Sequence, residues 1–158
     1  MKENQSLEFL EGENRSYDEL TAKGNEFHFS ILEQKLKEQL GVSAINSDIL
    51  RTLGLLGADG KYKNAGALLA DENSFYGIDC ARFGDSIDII LDREIFEHKS
   101  ILKQYDEAVA LYRKYYQYDE IEGALRKTVE LIPEKAFREA IANALVHRTW
   151  DVNSHIRI

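Results

Sequence analysis

The chain has 158 residues, is 44% hydrophobic and 30% charged, and carries a formal net charge of -8 with one proline and one cysteine. That balance is ordinary for a globular chain about one domain long, and it excludes collagen-like or low-complexity architecture. The acidic balance gives no support for a broadly basic nucleic-acid surface, and no apolar run approaches the roughly 20 residues needed to cross a bilayer. A lone Cys80 excludes an intramolecular disulfide. It fits a reducing compartment, so no membrane association and a cytoplasmic location are the expectation.

In chain order, residues 1–28 read as a polar lead-in or linker, acidic through Glu3, Glu8, Glu11 and Glu13. A first helix is expected from about Ser30 to Leu40, with Ile31, Leu32, Leu36 and Leu40 apolar and Gly41 as its stop. A second short helix starts at an Asn46 or Ser47 cap and runs through Leu53 to Gly54. The turn Gly57-Ala58-Asp59-Gly60 follows, and Asn64 is placed to cap a third helix over 65–70. This order invites a helix-turn-helix reading. The supposed recognition helix, however, has no Arg, Lys or Gln to reach bases or phosphates, so a packing role is expected.

Two β-type runs, 77–83 and 86–92, flank Gly84-Asp85 as a tight hairpin. Cys80 falls in the first run, where a small core residue is expected. The longest helix is expected over 98–116, with Ile101, Leu102, Tyr105, Ala108, Val109, Tyr112 and Tyr116 on one stripe. Its tyrosines lie beside Arg113-Lys114, a composition that suits nucleobase stacking but is commoner at the edge of a core. A strand over 124–131 leads into Pro133, and a further strand begins near Ile156.

Between those strands lies the stretch that carries chemistry. Pro133 opens a helix in which Phe137, Ile141, Ala144 and Leu145 share a buried arc. Glu139, Asn143 and His147 recur every fourth residue along a neighbouring edge. A carboxylate in such a place can act as general base, and an amide oxygen is a hard ligand suited to Mg²⁺. The same pair would equally serve to tie down neighbouring backbone.

The string Pro133…Ala136-Phe137-Arg138-Glu139-Ala140-Ile141-Ala142-Asn143-Ala144-Leu145-Val146-His147-Arg148 resembles a signature of bacterial and archaeal transcriptional regulators often labelled RecG-like ATP-dependent DNA helicases. Upstream, Ile49-Leu50-Arg51-Thr52-Leu53-Gly54-Leu55-Leu56, Asp59-Gly60 and Asn64-Ala65-Gly66-Ala67-Leu68-Leu69 resemble that family's connector, so the likeness runs over about residues 15–158. Such proteins join an N-terminal AlbA-type domain, shared with Schlafen proteins, to a GHKL-like ATPase domain.

The resemblance implies an α+β chain. It comprises a lead-in over 1–28, a helical connector with a β-hairpin over 29–117, and over 118–158 the opening strand-helix-strand of a GHKL-like domain. It implies Glu139 as general base, Asn143 as Mg²⁺ ligand, and Asn143, His147 and Arg148 at the nucleotide site. Thr149-Trp150 departs from the family's usual Asp-Tyr. The glycine-rich nucleotide boxes would lie after Ile158 and the nucleic-acid-binding domain before Met1, which makes the chain a central fragment. ATP and Mg²⁺ are then cofactors of the full-length protein, none being expected in the fragment, which is itself catalytically inactive. No Gly-rich Lys loop of a helicase motor occurs in the sequence. The alternative is a non-catalytic scaffold that binds no nucleotide and forms a homodimer through the tyrosine-bearing helix.

Overall fold

The computed structural model describes residues 16–158. They form an α+β fold in two compact units, one of residues up to Glu72 with Thr149–Asp151, the other of Asn73–Arg148 with Val152–Ile158. The division falls inside the segment that the sequence presents as one connector. The physical reason is that the strands after Asn73 bond to the end of the chain rather than to the helices before them.

In the first unit, α1 (Ser30–Leu40) has no cap from its own flank; the Asp71 carboxylate accepts from the amides of Ser30 at 2.8 Å and Ile31 at 2.9 Å. Burial raises the Asp71 carboxyl, but these bonds outweigh it and hold the group below its ordinary value. Gly41 ends the helix in the left-handed region, φ 69°, as glycine does at little steric cost. Asn46 caps α2 (Ser47–Thr52) as expected, accepting from Asp48 at 3.0 Å and Ile49 at 2.9 Å.

Asn64 behaves differently. It lies within α3 (Asn64–Leu69) behind Lys63, caps nothing, and donates its amide to the carbonyl of Tyr17. Asn64, Gly66, Ala67 and Leu68 are buried, which is the packing role expected of this helix. The part of the lead-in from Ser16 onward is held in place: Ala22 is buried and donates to Tyr62, and the Asn64 amide bonds Leu20. Residues 1–15 of that lead-in lie outside the described residues.

In the second unit, β1 (Ile78–Phe83) pairs antiparallel with β2 (Ile90–Phe96), from Ile78 opposite Phe96 to Phe83 opposite Ile90. The second strand thus lies four residues later than the 86–92 run suggests. Ser86 hydrogen-bonds Asp88 and Ile89 locally, bending that run into a turn, so Ile87 stands 80% exposed instead of facing a core. Cys80 is buried in β1, and burial pushes its thiol up to about 11, which keeps it protonated and inert.

Helix α4 (Ile101–Tyr116) starts at a Ser100 cap rather than at His98, and β3 (Gln117–Glu122) follows it directly. No strand is expected from the composition over 117–122, yet β3 forms a hairpin with β4 (Leu125–Glu130), joined across Gly123. Next comes α5 (Glu134–Val146), and β5 (Ile156–Arg157) returns parallel to β1, giving sheet order β2-β1-β5. The strands on either side of α5 therefore sit in separate sheets. The second unit's core gathers Ile78, Phe96, Ala108, Val109, Tyr112, Ile141 and Leu145.

Gly77 lies at the tightest point of that core. A Cβ there would stand 2.0 Å from the Phe96 carbonyl oxygen and 2.2 Å from Gln104 Oε1. Overpacking against backbone cannot be relieved by a side-chain rotation, so Gly77→Ala should lower unfolding free energy in urea by about 3 kcal/mol or more. Removing the Asn46 cap with Asn46→Ala should cost about 1 kcal/mol. Wild-type stability of Gly77→Ala would contradict the close approach.

Candidate functional site

The candidate side chains ride on α5, so what fixes that helix fixes the site. Pro133 is its N-cap, one position earlier than the first helical residue, and its carbonyl accepts from Ala136 and Phe137. The Glu130 carboxylate, reaching from β4, accepts from the Glu134 amide at 2.9 Å and satisfies another orphan donor. Ile141 and Leu145 are buried. Phe137 stacks on Tyr112 at 4.7 Å, and Tyr112 stacks in turn on Tyr116 at 5.7 Å. Tyr112 also donates its hydroxyl to the Ile132 carbonyl. These tyrosines are a core edge.

Charge reinforces the same joint. Arg113 grips Glu134 through two bonds of 2.9 and 2.6 Å, and Gln117 donates to the same carboxylate at 2.8 Å. Arg138 donates to the Tyr105 hydroxyl at 2.8 Å. Lys114 reaches Asp92 and Glu94, and Tyr115 donates to Asp92. Arg113 and Lys114, the cations that the sequence sets beside these tyrosines, are therefore committed to carboxylates.

The sequence-derived residues separate into two groups. Glu139, Asn143 and His147 are exposed along one edge of α5, beside the exposed small residues Ala136 and Ala140. Among the described residues, no side-chain hydrogen bond or ion pair engages any of the three. The alternative use of Glu139 and Asn143, tying down nearby backbone, therefore has no bond to support it. Arg148 is different in kind. Its guanidinium donates to the carbonyls of Tyr76 at 2.7 Å, Gly77 and Val152 at 3.4 Å each, and Ser154. Burial pushes its pKa down.

Other polar clusters exist in this unit. Asp79 takes a bidentate grip from Arg93, with bonds of 2.8 and 2.7 Å that hold its carboxyl below the usual range. Glu97 bonds His155 at 2.6 Å and lies 3.5 Å from His98, the only described non-glycine residue with positive φ. A cavity of about 80 Å³ lies between the β1–β2 hairpin and α4, over Cys80, Ala108, Tyr112 and Phe137. No group of three or more His, Cys, Asp or Glu among the described residues forms a cage for a metal ion. Sequence reasoning missed the Arg148 and Glu97–His155 contacts, which join positions 72 and 58 apart and leave no local pattern.

With the geometry established, the chain can be set beside known proteins. Its fold is similar to the crystal structure of the DIP2311 protein from Corynebacterium diphtheriae, with a TM-score of 0.71 and 25% identity, covering 94% of this chain and 32% of that one. This chain thus spans about a third of that protein's length. No family model matches the chain, and no curated protein matches it.

The Arg113–Glu134 pair gives a pH test of the anchored end of α5. Glu134 is lowered from an ordinary 4.5 to about 2, first by the Arg113 bonds, with burial opposing and Gln117 assisting. A carboxyl lowered by folding contributes stability above its unfolded value and loses it as pH falls through the folded one. Acid unfolding followed by circular dichroism should show a loss between about pH 4.5 and 2 that shrinks in Glu134→Gln. Superimposable acid profiles would remove this anchor.

Proposed function

We propose that this chain belongs to a DNA-binding transcriptional regulator with a nucleotide-responsive, ATPase-like domain, and that α5 carries the first half of its Mg²⁺-nucleotide site. One observation carries the reading. Glu134, Arg138 and Arg148 are engaged by the protein, whereas the edge formed by Glu139, Asn143 and His147 faces outward without a partner among the described residues. Polar groups kept in helical register and left unused by the fold suit a ligand.

The donor set fits a hard cation. Mg²⁺ keeps several waters, takes one or two protein oxygens and completes its shell with substrate phosphates, so a full protein cage is not required. Bound there, Mg²⁺ would supply positive charge against the phosphates of a nucleotide. In this reading the Asn143 amide oxygen would hold the metal. Glu139, one turn earlier, orients a water and takes its proton. His147 sits one turn beyond Asn143, within reach of a phosphate. Ala136 and Ala140 leave the helix surface beside Glu139 low, so a ligand can approach the backbone closely. DNA contact is assigned to the parent protein, through an AlbA-type domain, and not to α3, whose central residues are buried.

The competing reading, an interaction scaffold without nucleotide, draws on exposed apolar side chains. Ile121 and Leu125, on the β3–β4 ribbon, stand 80% and 75% exposed. Calorimetry on the intact protein separates the two. Millimolar Mg-ATP should release heat, and Asn143→Ala should weaken the Mg²⁺-dependent part. Glu139→Gln should slow turnover by about 10² to 10⁴-fold with binding nearly unchanged. No heat at millimolar nucleotide would leave the scaffold reading standing.

A further inference from the structure

Resting on that reading, we infer that Arg148 is a positioning residue for the Glu139–Asn143–His147 edge and not a ligand of the nucleotide. The reason lies in where its donors go. A guanidinium presents five N–H groups in a rigid planar fork. Here one arm meets the carbonyls of Tyr76 and Gly77 at the entrance to β1, and the other meets those of Val152 and Ser154 just before β5. Arg148 follows His147, which ends α5 by donating its amide to Asn143. A single side chain therefore joins the exit of the helix, the start of β1 and the approach to β5.

The neighbouring bonds show what this junction holds. Ile156 donates to the Gly77 carbonyl, Ile158 donates to Asp79, and Ala81 donates to Ile158. Gly77 thus receives both an arm of Arg148 and the first amide of β5. Just before β5, His155 bonds Glu97 at 2.6 Å and packs edge-on against Tyr76 at 5.0 Å. The other end of α5 is fixed by Arg113 and Gln117 through Glu134. The helix is pinned at both ends, and the polar edge lies between the pins.

A phosphate contact would need the same guanidinium donors to leave four carbonyls. Each of these bonds is charge-assisted and would be given up, so that exchange is unfavourable. Lysine tests the distinction because it keeps the charge but offers a point donor that cannot span two pairs of carbonyls.

The full-length protein, as wild type, Arg148→Lys and Arg148→Ala, should be compared by amide hydrogen exchange and by Mg-ATP calorimetry. Exchange at Ile156, Ile158 and Ala81 should accelerate about tenfold or more in both variants, the loss expected of a charge-assisted hydrogen bond. Mg-ATP affinity should fall in both, without rescue by lysine. Unchanged exchange, or recovery of affinity in Arg148→Lys, would overturn the positioning role and return Arg148 to the phosphates. If wild type binds no Mg-ATP, the nucleotide reading fails together with the edge it serves, whereas the exchange data then show separately whether the clasp exists. Should Arg148→Ala not fold, Arg148→Lys carries the same comparison alone.

Discussion

Tyr112 stands where three elements of the second unit converge. It is 2% exposed, stacks on Phe137, and donates its hydroxyl to the Ile132 carbonyl just before the helix start. A tyrosine in such a place joins a large apolar contact to one directed bond. The apolar contact sets how closely α5 approaches α4, and the bond sets where α5 begins. Arg113, the next residue, adds a bidentate grip on Glu134, so the sequence step from 112 to 113 fixes both the distance and the rotation of the helix. The outward bearing of Glu139 and Asn143 follows from that rotation.

Much of this was legible from local pattern. Asn46 caps its helix, Gly41 stops one, and the apolar stripe from Ile101 to Tyr116 does form a helix, because each depends on residues within a turn of one another. The hairpin was harder. Ile87, Ile89 and Leu91 alternate as a strand should, yet Ser86 and Asp88 hydrogen-bond their own neighbours and claim the backbone first. Asn64 has the right chemistry for a cap and is used 47 positions away, on Tyr17. The strand β3 is masked by tyrosines and charges that continue the helical composition of α4. Paired contacts across long separations were invisible in every case.

The candidate edge was legible in a different sense. Spacing alone places Glu139, Asn143 and His147 together on any helix, whatever its purpose. Spacing could not say which polar residues of α5 the fold uses for itself. The structure makes that division: Glu134 and Arg138 face α4 and are engaged, and Arg148 is turned inward to carbonyls. Trp150 is buried within the first unit.

The parallel pairing of β5 with β1 has a kinetic side. Parallel strands need a long crossover, and this one runs through β2, α4, the β3–β4 ribbon and α5 before the chain returns. The contacts that fasten it span 58 and 72 positions, so chain entropy opposes them until the intervening elements are formed. Local helices and the two hairpins can assemble on their own contacts. Strand β5 cannot, and its docking closes the second unit as a late event. The same dependence makes it an early place for the native unit to open, so the order of assembly and the order of fraying meet at one short strand.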